Sequence, residues 1–127
     1  MQFASPLGFL LTLSAAFLLS ACSDGPKPLY NYGDYSDSYY GAKKNMTEES
    51  TLELQKSIEA SIQNASESSS GRVPPGMYAN LGYMQLKSGK TQEAIANFEK
   101  EKALYPESAH FMDRMIKKVQ TAQGDKK

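Results

Sequence analysis

The chain has 127 residues, enough for one domain, and its 14 Lys and Arg are balanced by 14 Asp and Glu. A formal net charge of zero argues against a nucleic-acid-binding surface, which carries a basic excess. One cysteine excludes an internal disulfide framework and a multi-cysteine zinc site.

The first 21 residues carry no charged side chain. The apolar run from Leu7 to Ala21 is 15 residues long. A bilayer span needs roughly 20, so the run fits the apolar core of a secretory signal better than a membrane anchor. It ends in small residues at Leu19-Ser20-Ala21-Cys22. These four residues resemble the lipobox of bacterial lipoproteins. The resemblance implies that the Cys22 sulfur receives a diacylglyceryl group, that residues 1–21 are removed, and that Cys22 becomes the acylated first residue. Ser23, rather than Asp24, follows Cys22 directly, and in lipoproteins this implies the periplasmic face of the outer membrane. The segment before the apolar run departs from that pattern in having no Lys or Arg.

After Cys22, Leu, Ile, Val and Phe together number only 14. A small core follows, supplemented by Tyr and Met. Residues 22–33 contain Pro, Gly and Asp and are expected to be a flexible tether. A helical domain is expected over 34–122 and a frayed tail over 123–127. Tyr32, Tyr35 and Tyr39 fall near helical spacing, which predicts a short helix after Gly33 with Asp34 as cap. Tyrosine is enriched at interfaces, so these rings are contact candidates as well as packing residues.

Residues 46–68 predict an amphipathic helix, with Leu54, Ile58, Ile62 and Ala65 on one face. Asn45 or Thr47 is the expected cap, Glu48 and Glu49 suit the positive helix end, and Glu53 and Lys56 form an expected pair. Serines, Gly71 and Pro74-Pro75 then mark a loop. Two further helices follow. The first opens near Pro75 and closes at Gly89; the second opens after Lys90 with Thr91 as its N-cap and closes before Pro106. A short link makes them antiparallel. Tyr78, Leu81, Gly82 and Gln85 share one face of the first, and Ala94, Ile95, Phe98 and Lys102 one face of the second. Glu99, Glu101 and Lys102 read as a solvated face. A last helix carries Phe111, Met112, Met115, Ile116 and Val119 on the face expected to cover the hairpin.

Residues 75–108 resemble one tetratricopeptide repeat through Tyr78, Leu81-Gly82, Ala94, Phe98 and Pro106. Gln85 and Glu101 depart from that pattern, which has an aromatic and a small residue there. Irregular packing or a second partner is expected at those two positions. The fold expected is therefore all-α: a repeat-like hairpin flanked by an N-terminal amphipathic helix and a C-terminal capping helix. The lipobox, "YNYGDYSDSYY", "VPPGMYANLGY", "AIANFEKEKALYPES" and "FMDRMI" together resemble a family of small bacterial lipoproteins, catalogued as domain of unknown function 4810. Its members are often encoded beside other envelope lipoproteins, which that resemblance implies as partners.

His110 stands alone, without a nucleophile or third group in pattern with it, so no enzyme activity is expected. No metal or cofactor is expected either, and Met77, Met84, Met112 and Met115 read as core filler. The function expected is a lipid-anchored interaction module, with Tyr35, Tyr39, Tyr78, Tyr83 and Gln85 as partner contacts. An activator of a cell-wall synthase and a purely structural envelope lipoprotein are the alternatives.

Overall fold

The computed structural model describes residues 25–124. The expected signal segment, Cys22 and the last three residues lie outside them. Among the described residues every regular element is helical. The helices are α1 (Tyr35–Asn45), α2 (Glu48–Gln63), α3 (Met77–Lys87), α4 (Thr91–Leu104) and α5 (Ala109–Gly124). Each packs on its sequence neighbours, α1 on α2, α2 on α3, α3 on α4 and α4 on α5.

Two apolar clusters flank the α3–α4 hairpin. Ile58 of α2 meets Met77 and Leu81 of α3, with Leu54, Ile62 and Met84 around them. On the other side Ala94 and Phe98 of α4 meet Met112, Ile116 and Val119 of α5. Met77 and Met112 are fully buried, as expected of core filler. Between the two clusters Gly82 lets α3 and α4 approach: a Cβ there would stand 2.8 Å from the Phe98 ring and 3.0 Å from the Ala94 carbonyl.

Several local features differ from the sequence expectation. Of the two caps expected for α2, Thr47 serves rather than Asn45, in a reciprocal pair with Ser50: Ser50 N donates to Thr47 Oγ1 at 3.1 Å and Thr47 N to Ser50 Oγ at 3.2 Å. α2 stops at Gln63, and Ala65–Glu67 tightens into a 3-10 turn. Asp34 stands at the N-cap of α1 without a side-chain capping bond. Glu53 and Lys56 do not pair; among the described residues ion pairs join Lys102 to Glu99 and to Asp113. Thr91 is the first residue of α4, with Lys90 at the cap. Phe111, expected in the core, is 59% exposed.

α3 begins at Met77, beyond Pro75, because Gly76 takes the N-cap with φ +86°. Glycine allows this conformation but brings no capping side chain. Glu101 supplies it from α4. Its carboxylate accepts from Gly76 N at 2.7 Å and from Ala79 N at 3.2 Å. Glu101 is 3% exposed; its place on a solvated face is therefore corrected, since the negative charge sits at the positive end of α3. At the same end of the hairpin, Arg72 Nη2 donates to the Leu104 carbonyl at 2.7 Å and its guanidinium lies 4.8 Å from the Tyr105 ring centroid. A cation thus meets the negative end of α4.

Tyr105 is buried, and its hydroxyl donates to the Val73 carbonyl at 2.6 Å. Burial first, and the Tyr30 phenol next, push its pKa up from 10.0 to about 12. A raised pKa means that the folded chain keeps a proton the unfolded chain releases. Its contribution to stability is therefore complete below pH 10 and is lost as pH rises toward 12. Tyr105→Phe is expected to flatten that part of the stability–pH profile and to cost about 1 kcal/mol at neutral pH, read from urea midpoints.

The segment expected as a tether is pinned over residues 28–33. Ser69 N and Ser70 N donate to the carbonyls of Pro28 and Leu29 at 2.9 and 3.2 Å. Asn31 Nδ2 donates to the Asn64 carbonyl, and the Ser61 hydroxyl to the Tyr32 carbonyl at 2.8 Å. The serine-rich loop supplies the donors that this proline-containing segment lacks.

Candidate functional site

α1, α2 and the C-terminal half of α3 enclose a groove of about 320 Å³. Its floor comes from α2 and α3: Leu54, the fully buried Ile58, and Met84. Its lips come from α1 and α3. Tyr39 of α1 is 42% exposed and Tyr83 of α3 is 50% exposed. Each carries a lysine one helical turn later: Lys43 Nζ lies 5.5 Å from the Tyr39 centroid and Lys87 Nζ 6.0 Å from that of Tyr83. Both distances are within reach of a cation–π attraction.

Tyr35 joins the lip to the floor. Its phenol oxygen accepts from Asn80 Nδ2 at 2.9 Å, which fixes α1 against α3. Burial is the main cause that raises its pKa. Tyr30, Tyr32, Tyr35 and Tyr39 form a continuous run of rings, with successive centroids 6.4, 6.3 and 5.8 Å apart. The groove thus has an apolar floor, aromatic lips and two cations, and no carboxylate lines it.

The structure brings Tyr35, Tyr39 and Tyr83 together and separates the other two expected contacts. Tyr78 lies away from the groove, with Lys100 Nζ 5.4 Å from its ring centroid. Gln85 is occupied within the hairpin, its Oε1 accepting from Asn97 Nδ2 at 2.7 Å. The irregular packing expected at Gln85 and Glu101 was against the helix next to the hairpin; both instead make polar bonds within it, between α4 and the α3 side. The two lysines and Asn80 were not among the expected contacts. The signal of the lysines was present as a Tyr and a Lys four apart in both "YYGAK" and "YMQLK".

His110 is exposed. Among the described residues no three His, Cys, Asp or Glu side chains converge to hold a metal. No helix among them is long and apolar enough to cross a membrane. The chemistry the groove offers is recognition: it can bury apolar side chains while its lysines meet acidic groups at the rim.

No curated protein and no solved structure matches the chain. A family model does, over residues 29–115, a span that contains the whole groove and the α3–α4 hairpin. With more than half of its length in that match, the chain belongs to the family described as a domain of unknown function, DUF4810.

Proposed function

We propose that this chain is a lipid-anchored interaction module on the periplasmic face of the outer membrane, which holds or assembles a protein partner through the groove of α1, α2 and α3. The observation that carries this reading is the pair of Tyr–Lys lips over an apolar floor. An arrangement of exposed aromatics around a buried apolar centre is how protein interfaces concentrate their binding energy. The lipobox ending in Cys22 supports the anchor. Leu81-Gly82, Ala94, Phe98 and Pro106, in a closely packed helix pair, support a tetratricopeptide-like hairpin as the scaffold. Tethering raises the effective concentration of the module at a partner in the same membrane.

Two measurements test the two halves. A photo-crosslinking residue in place of Tyr39 or Tyr83 is expected to yield a discrete adduct in the native host. Lys43→Glu with Lys87→Glu should reduce that adduct by about tenfold or more, since like charges now face an acidic partner. No adduct at either position rejects the groove as the interface. Cys22→Ala is expected to leave the signal uncut and the protein without acyl chains. If that variant is still processed and still fractionates with the outer membrane, the lipoprotein reading is wrong.

A further inference from the structure

α5 turns Met112, Ile116 and Val119 into the core. Among the described residues, nothing covers a second face beside the first. It is lined by Phe111, Arg114, Met115, Lys117, Lys118 and Ala122. Phe111 is 59% exposed, while Met115 is half-buried. Phe111, Met115 and Ala122 recur at helical spacing with Lys118 among them, and Arg114 and Lys117 lie on the side away from the core face. The one acid on this stretch of helix, Asp113, is turned aside and bound to Lys102 at 2.7 Å. Among the described residues no carboxylate pairs with Arg114, Lys117 or Lys118.

We infer that this face of α5 lies on a membrane surface and binds anionic phospholipid headgroups. Charge and apolarity agree: an exposed aromatic and a half-buried methionine beside three cations is the composition of an interfacial helix, and each cation near an anionic surface adds attraction. A second copy of the chain suits the face poorly, because a two-fold contact would bring the same three cations against themselves. The covalent distance also agrees, a point that rests on acylation at Cys22. Pro28 is the first residue hydrogen-bonded to the loop. However residues 22–28 are arranged, covalent geometry limits their reach to about 20 Å. While the segment is pinned, Pro28 therefore stays within that distance of the anchor. Tyr30, just beyond, adjoins Tyr105, which immediately precedes the turn into α5. The short leash thus enters the domain at the end of α5 that carries Phe111.

The chain has no tryptophan, so Phe111→Trp would introduce the sole indole. The full-length lipoprotein is reconstituted in vesicles of phosphatidylcholine, alone or mixed with phosphatidylglycerol. In the anionic vesicles the indole emission is expected to shift to the blue and to be quenched by brominated acyl chains; high salt should reverse both changes. Adding Arg114→Glu, Lys117→Glu and Lys118→Glu to the same protein should reduce the quenching to the level seen in neutral vesicles, with an unchanged helical circular-dichroism spectrum. An indole that brominated lipid does not quench, or that is quenched equally with and without phosphatidylglycerol, overturns the inference, as does a blue shift already present without vesicles. Mass spectrometry of Cys22 decides the lipoprotein reading separately. Acylated protein with an unquenched indole defeats this inference alone, and unacylated protein with a quenched one defeats only the anchor.

Discussion

Phe98→Ala is expected to destabilise the domain by about 3–5 kcal/mol, out of the roughly 5–15 kcal/mol that holds a domain of this size. The ring is 1% exposed and joins α4 to α5 through Met112, Ile116 and Val119. Its edge also faces Gly82, where a Cβ would stand 2.8 Å from a ring carbon. Gly82→Ala in the native background is therefore expected to cost about 1–3 kcal/mol by overpacking, although alanine is the better helix former. Once the ring is gone, only the Ala94 carbonyl at 3.0 Å opposes the new methyl. The cost of Gly82→Ala should then fall by at least about 1 kcal/mol in a Phe98→Ala or Phe98→Leu background. Urea unfolding of the four proteins in the cycle measures this. Equal costs in both backgrounds would show that the close approach of α3 and α4 is not limited by this ring.

Glu101→Ala is expected to cost about 2–3 kcal/mol, more than an ordinary surface cap. Two backbone donors, on Gly76 and Ala79, lose a charged acceptor that is 3% exposed. Gly76 offers no side chain to replace it. Glu101→Gln keeps one carbonyl acceptor but loses the charge and turns an amide group toward N–H donors, so it should recover less than half of the loss. The effect should also be local. Amide exchange at Met77 to Asn80 is expected to quicken before exchange in α5 does. A Glu101→Ala protein with native urea midpoint would mean that water caps α3 as well as the carboxylate does.

Glu101 also marks where the sequence stopped being legible. Helix positions followed from apolar spacing and punctuation: Leu54, Ile58 and Ile62 fixed the buried face of α2, and Gly89 and Pro106 bounded α4. The hairpin's close contact was readable in Gly82 and Ala94. What the sequence hid were interactions between residues far apart along the chain. A glutamate beside Lys100 and Lys102 has the local pattern of a solvated face, and only the approach of α3 reveals that it caps another helix. Phe111 shows the reverse case. It continues the apolar pattern of α5, yet the core face is already filled by Met112, Ile116 and Val119, and the phenylalanine falls outside that arc. Tyr78 and Tyr83 lie on the same helix, but only Tyr83 lies on the side that meets α1 across the groove. The lysines that complete the lips were visible as a repeated local pairing, but without the fold nothing said that the two pairs face each other.

The pinned segment 28–33 has a mechanical consequence. A pull on the chain upstream of Pro28 meets the bonds from Ser69 and Ser70 first, then those at Asn31 and Tyr32. They load one after another, like the teeth of a zipper, so each breaks nearly alone at low force. No helix need unfold while they open. Releasing the six residues would let them extend to at most about 20 Å, longer than their pinned span. The chain ahead of α1 would then have two reaches, with the helices intact in both. Amide exchange at Ser69 and Ser70 that is faster than at Met112 and Ile116 would report the longer form; equal protection at all four would mean that the segment opens only when the whole domain does.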